Sequence, residues 1–420
     1  MLKYRNIIVC FFFAIYIILG LYLSITNGIS HDQYHEQLNW KINFQAIKSV
    51  LFNQGDYQIL LDYIDRYHGI AFHYISQPIQ LLSNSFIGKL NNINIEGAYY
   101  LSRHAPIFII FCVTGVFFYF LCLKISNNKN FSLISTIIFF LYPYFFGHAQ
   151  INGKDIPFLS FWIICTYYLF NIIEKFYYEK KIKFINILLL SFFTAFLISI
   201  RITGSLILME YLIALIVFLN LKNINLWKFI LKNNRFFIIF IISIIIFVYF
   251  LNPIFWLNPL EFFKSIEWMG KYYHDTCTLT FGKCMSALNL PPSYLFIWLF
   301  FKLPILILIG LLIYPFIEKK IFNNNLQTIF YGVFLFTVLS LLFIFILKKV
   351  ALYDEIRHVM FLVPFIFLIS LYNIYLFNKK FFYSSSVILI IFFVVENISL
   401  KKYQYTWLNS FAKFTDIQKN

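Results

Sequence analysis

The chain has 420 residues, 61% of them hydrophobic and only 12% charged, with a formal net charge of +16. That balance lies far outside the range of soluble domains and excludes an ordinary water-soluble enzyme. The excess positive charge needs no nucleic acid to explain it, because basic loops facing anionic lipid give the same result.

Eleven apolar runs of about 17–25 residues follow one another, each long enough to cross the ~30 Å hydrocarbon layer as a helix. They cover 6–26, 104–123, 131–147, 157–173, 184–200, 205–221, 236–251, 293–317, 326–347, 358–378 and 382–399. The first has too long an apolar core for a secretory signal and no small-residue cleavage site after it, so it reads as a retained span. Lys3, Arg5, Lys124, Lys129, the EKFYYEKKIK run, the LKNINLWKFILKNNR run, Lys319, Lys320, Lys379 and Lys380 crowd short loops on one side. The positive-inside rule then places the amino terminus in the cytoplasm and the carboxyl terminus outside. Most Asp and Glu residues fall on the outer side.

Two outer segments are long, 27–103 and 252–292, and long loops in compact proteins usually serve a function. In the first, Leu38, Ile42, Ala46 and Val50 recur every four residues, as in an amphipathic helix lying on the bilayer surface. A second such helix is expected through YQILLDYIDRYHGIAFHYI, residues 57–75. No internal repeat or disordered linker interrupts the pattern. The expectation is therefore an all-α polytopic membrane protein of about eleven spans, a single membrane-embedded unit over 1–420.

Proton chemistry and anion-holding groups gather in five outer segments: HDQYHE (31–36), DRYHGIAFHY (65–74), GHAQINGKDIPF (147–158), the Arg201 turn in SIRITGS, and YDEIRH (353–358). Asp32, Glu36 and Asp155 are the candidate catalytic carboxylates. Asp32 reads equally as a helix cap. Asp155 reads equally as a partner of Lys154 or a cap of the helix that Pro157 begins. His31 and His35 have an i, i+4 spacing without a clear third metal ligand, so they read as interfacial or substrate-contacting groups.

The chain uses 28 Lys but only six Arg, yet Arg66, Arg103, Arg201 and Arg357 all lie on the outer side. Guanidinium holds phosphate in two-point geometry, which favours Arg201 and Arg357 as anion ligands; snorkelling or pairing is the competing reading. Lys154, Arg66, His35, His68 and His358 extend the substrate-binding set. Lys302, inside a predicted span, either snorkels or reaches a lipid phosphate, and Glu210 is expected to be an interhelical hydrogen-bonding group. Cys277 and Cys284 flank TLTFGK, which suits a tight hairpin, and an oxidising compartment permits a bridge between them. Cys10, Cys112, Cys122 and Cys165 read as small packing residues.

The layout resembles the polytopic GT-C glycosyltransferases, in particular family 39, around protein mannosyltransferases and the aminoarabinose transferase. HDQYHEQLNW sits where that family places an acidic motif after the first span. GHAQINGKDIPF, FGKCMSALNLPPSYLFIWLFFKLP and YDEIRHVMFLVP resemble later pieces in the same order. Gln33 follows Asp32 where relatives usually carry a second carboxylate, which leaves Glu36, one turn along, as its substitute. The resemblance implies an inverting glycosyltransferase at the outer face of a bacterial inner membrane. Its partners would be a polyprenyl-phosphate-linked sugar, an acceptor of unspecified class (protein, lipid or glycan) and membrane lipids, with no nucleic acid. It fixes no cofactor; a divalent metal stays open and no metal ligand is assigned. A secondary transporter, with a midplane site on broken helices, and a lipid-binding scaffold without catalysis are the alternatives.

Overall fold

The computed structural model describes residues 2–30, 32–271, 276–321, 325–415 and 417, and His31 of the first acidic segment lies outside them. Its helices begin with α1 (Leu2–Thr26), α2 (Asp32–Phe52), α3 (Gln58–Asp62), α4 (Ala71–Asn91), α5 (Ile95–Ser102) and α6 (His104–Ser126). They continue with α7 (Lys129–Leu141), α8 (Pro143–Ile151), α9 (Asp155–Tyr177), α10 (Phe184–Ile200), α11 (Ile207–Lys222), α12 (Leu226–Lys232), α13 (Asn234–Leu251) and α14 (Glu261–Lys271). A hairpin of β1 (Cys277–Thr280) and β2 (Lys283–Ser286) precedes α15 (Tyr294–Lys302), α16 (Ile305–Leu312), α17 (Tyr314–Ile321), α18 (Asn325–Leu347), α19 (Val363–Phe377) and α20 (Lys379–Leu400).

The chain is a helical, multi-pass membrane protein. Among the described residues, seven helical segments are long and apolar enough to cross a membrane, or up to nine if each of two bent pairs counts as one span. Apolar helices Phe11–Thr26 and Phe184–Ile200 are shorter. Packing sorts the segments into layers: the window of Arg357–Phe377 is 94% buried and that of Asp155–Tyr177 83%, whereas α13 is only 11% buried. Helices α9 and α19 are thus the axis of the bundle. Helices α13 and α20 turn Ile241, Ile245, Ile388 and Ile391 outward, where only hydrocarbon suits them.

Both bent pairs interrupt runs expected to be single spans, and proline causes each break. The α7–α8 pair bends by 59° at Tyr142–Pro143 and the α15–α16 pair by 116° at Leu303–Pro304. Proline lacks the N–H that would close the helical ladder and pushes the preceding residue to extended backbone. Tyr142 (ψ 115°) and Leu303 (ψ 137°) both adopt it. The carbonyls freed at the first break take side chains from afar: Tyr16 Oη donates to Phe140 O (2.8 Å) and Asn397 Nδ2 to Leu141 O (2.7 Å).

The first long loop differs from its expectation in two ways. Helix α2 forms, but Ala46 and Ile42 pack into a small core with Tyr57, Leu60 and Tyr67 rather than onto the bilayer. Some of its polar residues are also buried, where partners exist: Gln37 Nε2 donates to Tyr99 Oη (2.8 Å) and Asn39 Nδ2 to His68 O (3.0 Å), while Lys41 and Gln45 stay exposed. The helix expected over 57–75 is instead the short α3, an irregular turn and the start of α4. Gly69 explains the interruption: a Cβ there would lie 2.1 Å from Ser199 O, so the chain is pressed backbone to backbone against the end of α10.

The second long loop adds the only strands among the described residues. Phe281 (φ 52°) and Gly282 (φ 70°) both occupy the left-handed region, as a two-residue hairpin turn demands. Cys277 and Cys284 are joined by a disulfide, with Cα atoms 5.3 Å apart.

Candidate active site

Four of the five chemistry-bearing segments meet at the ends of α2, α9, α10 and α19, and the fifth joins them through Gly69 and His73 at the start of α4. Asp155 begins α9, where Asn152 prepares it: Asn152 Oδ1 accepts from Asp155 N (2.8 Å), and its Nδ2 donates to Asp155 Oδ2 (2.8 Å). With a side chain only 3% exposed, Asp155 is flanked by two guanidinium groups. Arg201 Nη1 lies 2.6 Å from Oδ1 and Arg357 Nε 2.5 Å from Oδ2. The Lys154–Asp155 pair is therefore replaced by an arginine pair, because the turn after Asn152 sends the lysine the other way.

Arg357 is shared. Besides Asp155 it reaches Asp32, at the start of α2, and Asp354 Oδ2 at 3.1 Å. The Asp32 side chain is 54% exposed, so it meets both the guanidinium and solvent. His358 lies half-buried beside this row, its ring edge-on to Tyr353 at 4.3 Å between centroids. His35 is exposed on the first turns of α2, edge-on to Tyr34.

One turn along α2, Glu36 sits in a second cluster. Its Oε1 is 3.2 Å from Lys154 Nζ, and its Oε2 is 3.1 Å from Arg103 Nη2 and 3.5 Å from His73 Nε2. Burial alone would raise its pKa; Lys154, His73 and Arg103 outweigh burial and hold the carboxyl well below the usual range. Burial lowers Lys154, which Glu36 partly restores, and lowers His73 to about 3, leaving that imidazole neutral. Lys154 also donates to Gly69 O (3.2 Å), tying the cluster to the turn that replaces the second surface helix.

A third pair completes the rim. Lys302, fully buried at the end of α15, forms an ion pair with Glu355, faces the Tyr144 ring at 4.7 Å and donates to Tyr405 O (3.4 Å). It therefore does not snorkel: the bend at Pro304 ends its helix at the site. Glu210 stays apart, accepting from Trp162 Nε1 at 2.6 Å.

Arg66 and His68 are not part of these clusters. Arg66 donates to Tyr63 O (3.4 Å) and covers the Tyr67 ring at 4.9 Å, while His68 pairs with Asp65 at 3.4 Å. The cavity they line with Asn43 and Asn252 holds about 10 Å³, room for a single water. Arg103, His73, Asn152 and Glu355 also belong to the clusters: the last three lie inside the polar segments without being singled out there, and Arg103 is one of the arginines weighed between anion holding and snorkelling. The sequence leaves Arg103 open between snorkelling and anion holding; the fold buries it against Glu36 and His73. Among the described residues no group of three or more His, Cys, Asp or Glu side chains is arranged to hold a metal ion.

Chemically, the rim offers two accessible carboxylates, Asp32 and Asp354, on a guanidinium whose third partner, Asp155, is buried. No protein-family model matches the chain, and no curated protein or solved structure matches it.

Proposed function

We propose that the protein is a membrane glycosyltransferase that moves a sugar from a polyprenyl-phosphate donor to an acceptor hydroxyl, with inversion. The observation that carries this reading is the row Asp32–Arg357–Asp155–Arg201, which joins an exposed carboxylate to cations held by a buried one. Asp32 takes the acceptor proton as the acceptor oxygen attacks the anomeric carbon. The bond from that carbon to the phosphate oxygen breaks, and the lipid phosphate leaves with the added negative charge. Arg357, Arg201 and Lys302 stabilise that charge, with His358 beside them.

Arg357 also couples donor to base. A phosphate arriving at its guanidinium competes with Asp32 for the same N–H groups. Displaced from its cation, the Asp32 carboxylate has oxygens free to accept from the acceptor hydroxyl. Asp155 stays with Arg357 and Arg201 and keeps both in place. Glu36 serves the frame of the site rather than proton transfer, since its acceptor positions are already engaged by cations.

Counting each bent pair as one span and adding the two shorter apolar helices gives eleven crossings, with the amino terminus cytoplasmic and the site at the outer face of a bacterial inner membrane. Impermeant cysteine labelling at Asn53 and Ser410 in intact cells tests the orientation; labelling only after lysis reverses it. Activity is tested by incubating purified protein with a radiolabelled polyprenyl-phosphate sugar and candidate acceptors. Transfer that persists at the wild-type rate in Asp32→Asn removes Asp32 as the base.

A further inference from the structure

The end of α15 is a helix terminus deep in the protein, and its free carbonyls need donors. Pro304 cannot supply the N–H that Phe300 O would accept, and the 116° bend carries the next N–H groups away. Donors come from two distant residues. Asn409 N donates to Phe301 O (2.8 Å), and Asn409 Nδ2 donates to both Phe300 O (2.6 Å) and Leu303 O (2.8 Å). Tyr142 Oη donates to Lys302 O at 2.5 Å.

Asn409 is itself fixed. It is 2% exposed, and its Oδ1 accepts from Phe411 N at 3.0 Å. Trp407 is buried beside Tyr142, with ring centroids 5.4 Å apart, and Phe411 stacks on Phe300 at 5.4 Å. Further along, Phe281 N of the disulfide-linked hairpin donates to Ile417 O (3.2 Å). The same segment meets the lysine head, since Tyr405 O accepts from Lys302 Nζ. The segment 404–417 thus grips Lys302 at its helix end and at its ammonium group.

We infer that Asn409 is a positioning residue: it replaces the helix donors lost at Pro304 and so sets Lys302 against Glu355 at the rim of the site. The side chain type follows from the task. A carboxamide brings two donors and one acceptor on a single short stem; aspartate has the shape without the donors, and serine has one donor. The value of Lys302 for phosphate rests on the glycosyltransferase reading, but its placement by Asn409 does not.

The test is amine-reactive footprinting of the full chain in lipid nanodiscs, read by mass spectrometry, for wild type, Asn409→Ser, Asn409→Asp and Asn409→Ala. Lys302 should be protected in the wild type, label about 10-fold faster in Asn409→Asp and Asn409→Ala, and fall between in Asn409→Ser. Lys154, buried in the Glu36 cluster, is the internal control and should not change. Continued protection of Lys302 in the Asp and Ser variants overturns the inference. So does a parallel rise at Lys154, which marks general loosening. A donor KM raised about 10-fold with kcat nearly unchanged adds support. Absence of any transfer in the wild type strikes the glycosyltransferase reading alone and leaves the footprint to decide the positioning role.

Discussion

Asp32 and Glu36 stand one turn apart on the same helix, yet they end in opposite circumstances. Glu36 faces inward, where Arg103, Lys154 and His73 engage both its oxygens. Asp32 faces the rim, more than half exposed, with one guanidinium that it shares with Asp155 and Asp354. A carboxylate surrounded by fixed cations is locked in its charged form, poor at accepting a proton and costly to remove. A carboxylate with a single displaceable cation costs little to remove and can exchange that partner when a ligand arrives. Spacing along the helix cannot tell these two cases apart; the neighbours brought in by α4, α6 and α9 can.

Substitutions can break this contrast, beginning with the most buried member. Asp155→Ala leaves Arg201 and Arg357 without their inner partner and should cost about 3–5 kcal/mol of stability, read from thermal unfolding in detergent. A loss below about 1 kcal/mol would mean that the arginines do not depend on Asp155. Glu36→Gln removes charge-assisted bonds to three groups and should cost about 1.5–3 kcal/mol by the same measurement.

Glu36 also predicts a pH dependence. Its folded pKa is depressed, so its contribution is fully present above the unfolded value near 4.5 and is lost as pH falls below it toward the folded pKa. Wild-type melting temperature should therefore be flat in this respect from pH 7 to about 4.5 and decline in stronger acid. Glu36→Gln should remove part of that decline; identical acid profiles would contradict the assignment.

Asp32→Asn should change stability by less than about 1 kcal/mol, as for other exposed pairs, while lowering sugar transfer at least ~10²-fold. Arg66→Ala, which removes the contacts with the Tyr63 carbonyl and the Tyr67 ring, should be mildest, about 0.5–1 kcal/mol with transfer unchanged. A large loss of transfer in that variant would extend the site into the turn before α4.

Much of this arrangement is legible in the chain. Hydropathy alone marks the apolar runs, and Pro143 and Pro304 are visible in it as breakers, although a count of apolar residues passes over them. The segments containing Asp32, Asp155, Arg201 and Arg357 announce their polar content because nearly everything around them is apolar. What the chain conceals is pairing. Lys154 precedes Asp155, so a local pair is the natural expectation, but the turn fixed by Asn152 sends the two side chains to different clusters. Gly69 interrupts a helical pattern for a reason that exists only once α10 arrives beside it. Asn409, in a stretch of ordinary polar composition, has no local signal at all, since its partners are carbonyls about 106 to 109 residues away.

Those separations impose an order on the making of the protein. Glu36 finds Arg103 67 residues later, whereas Asp155 waits 202 residues and Asp32 325 residues for Arg357. At synthesis rates of about 5–20 residues per second, Arg357 follows Asp155 out of the ribosome by roughly 10–40 s. Until Arg357 emerges, the nascent chain carries a carboxylate destined for burial with at most Arg201 to neutralise it. The last spans therefore do more than anchor the protein. Until they arrive, the half-made bundle is electrostatically incomplete.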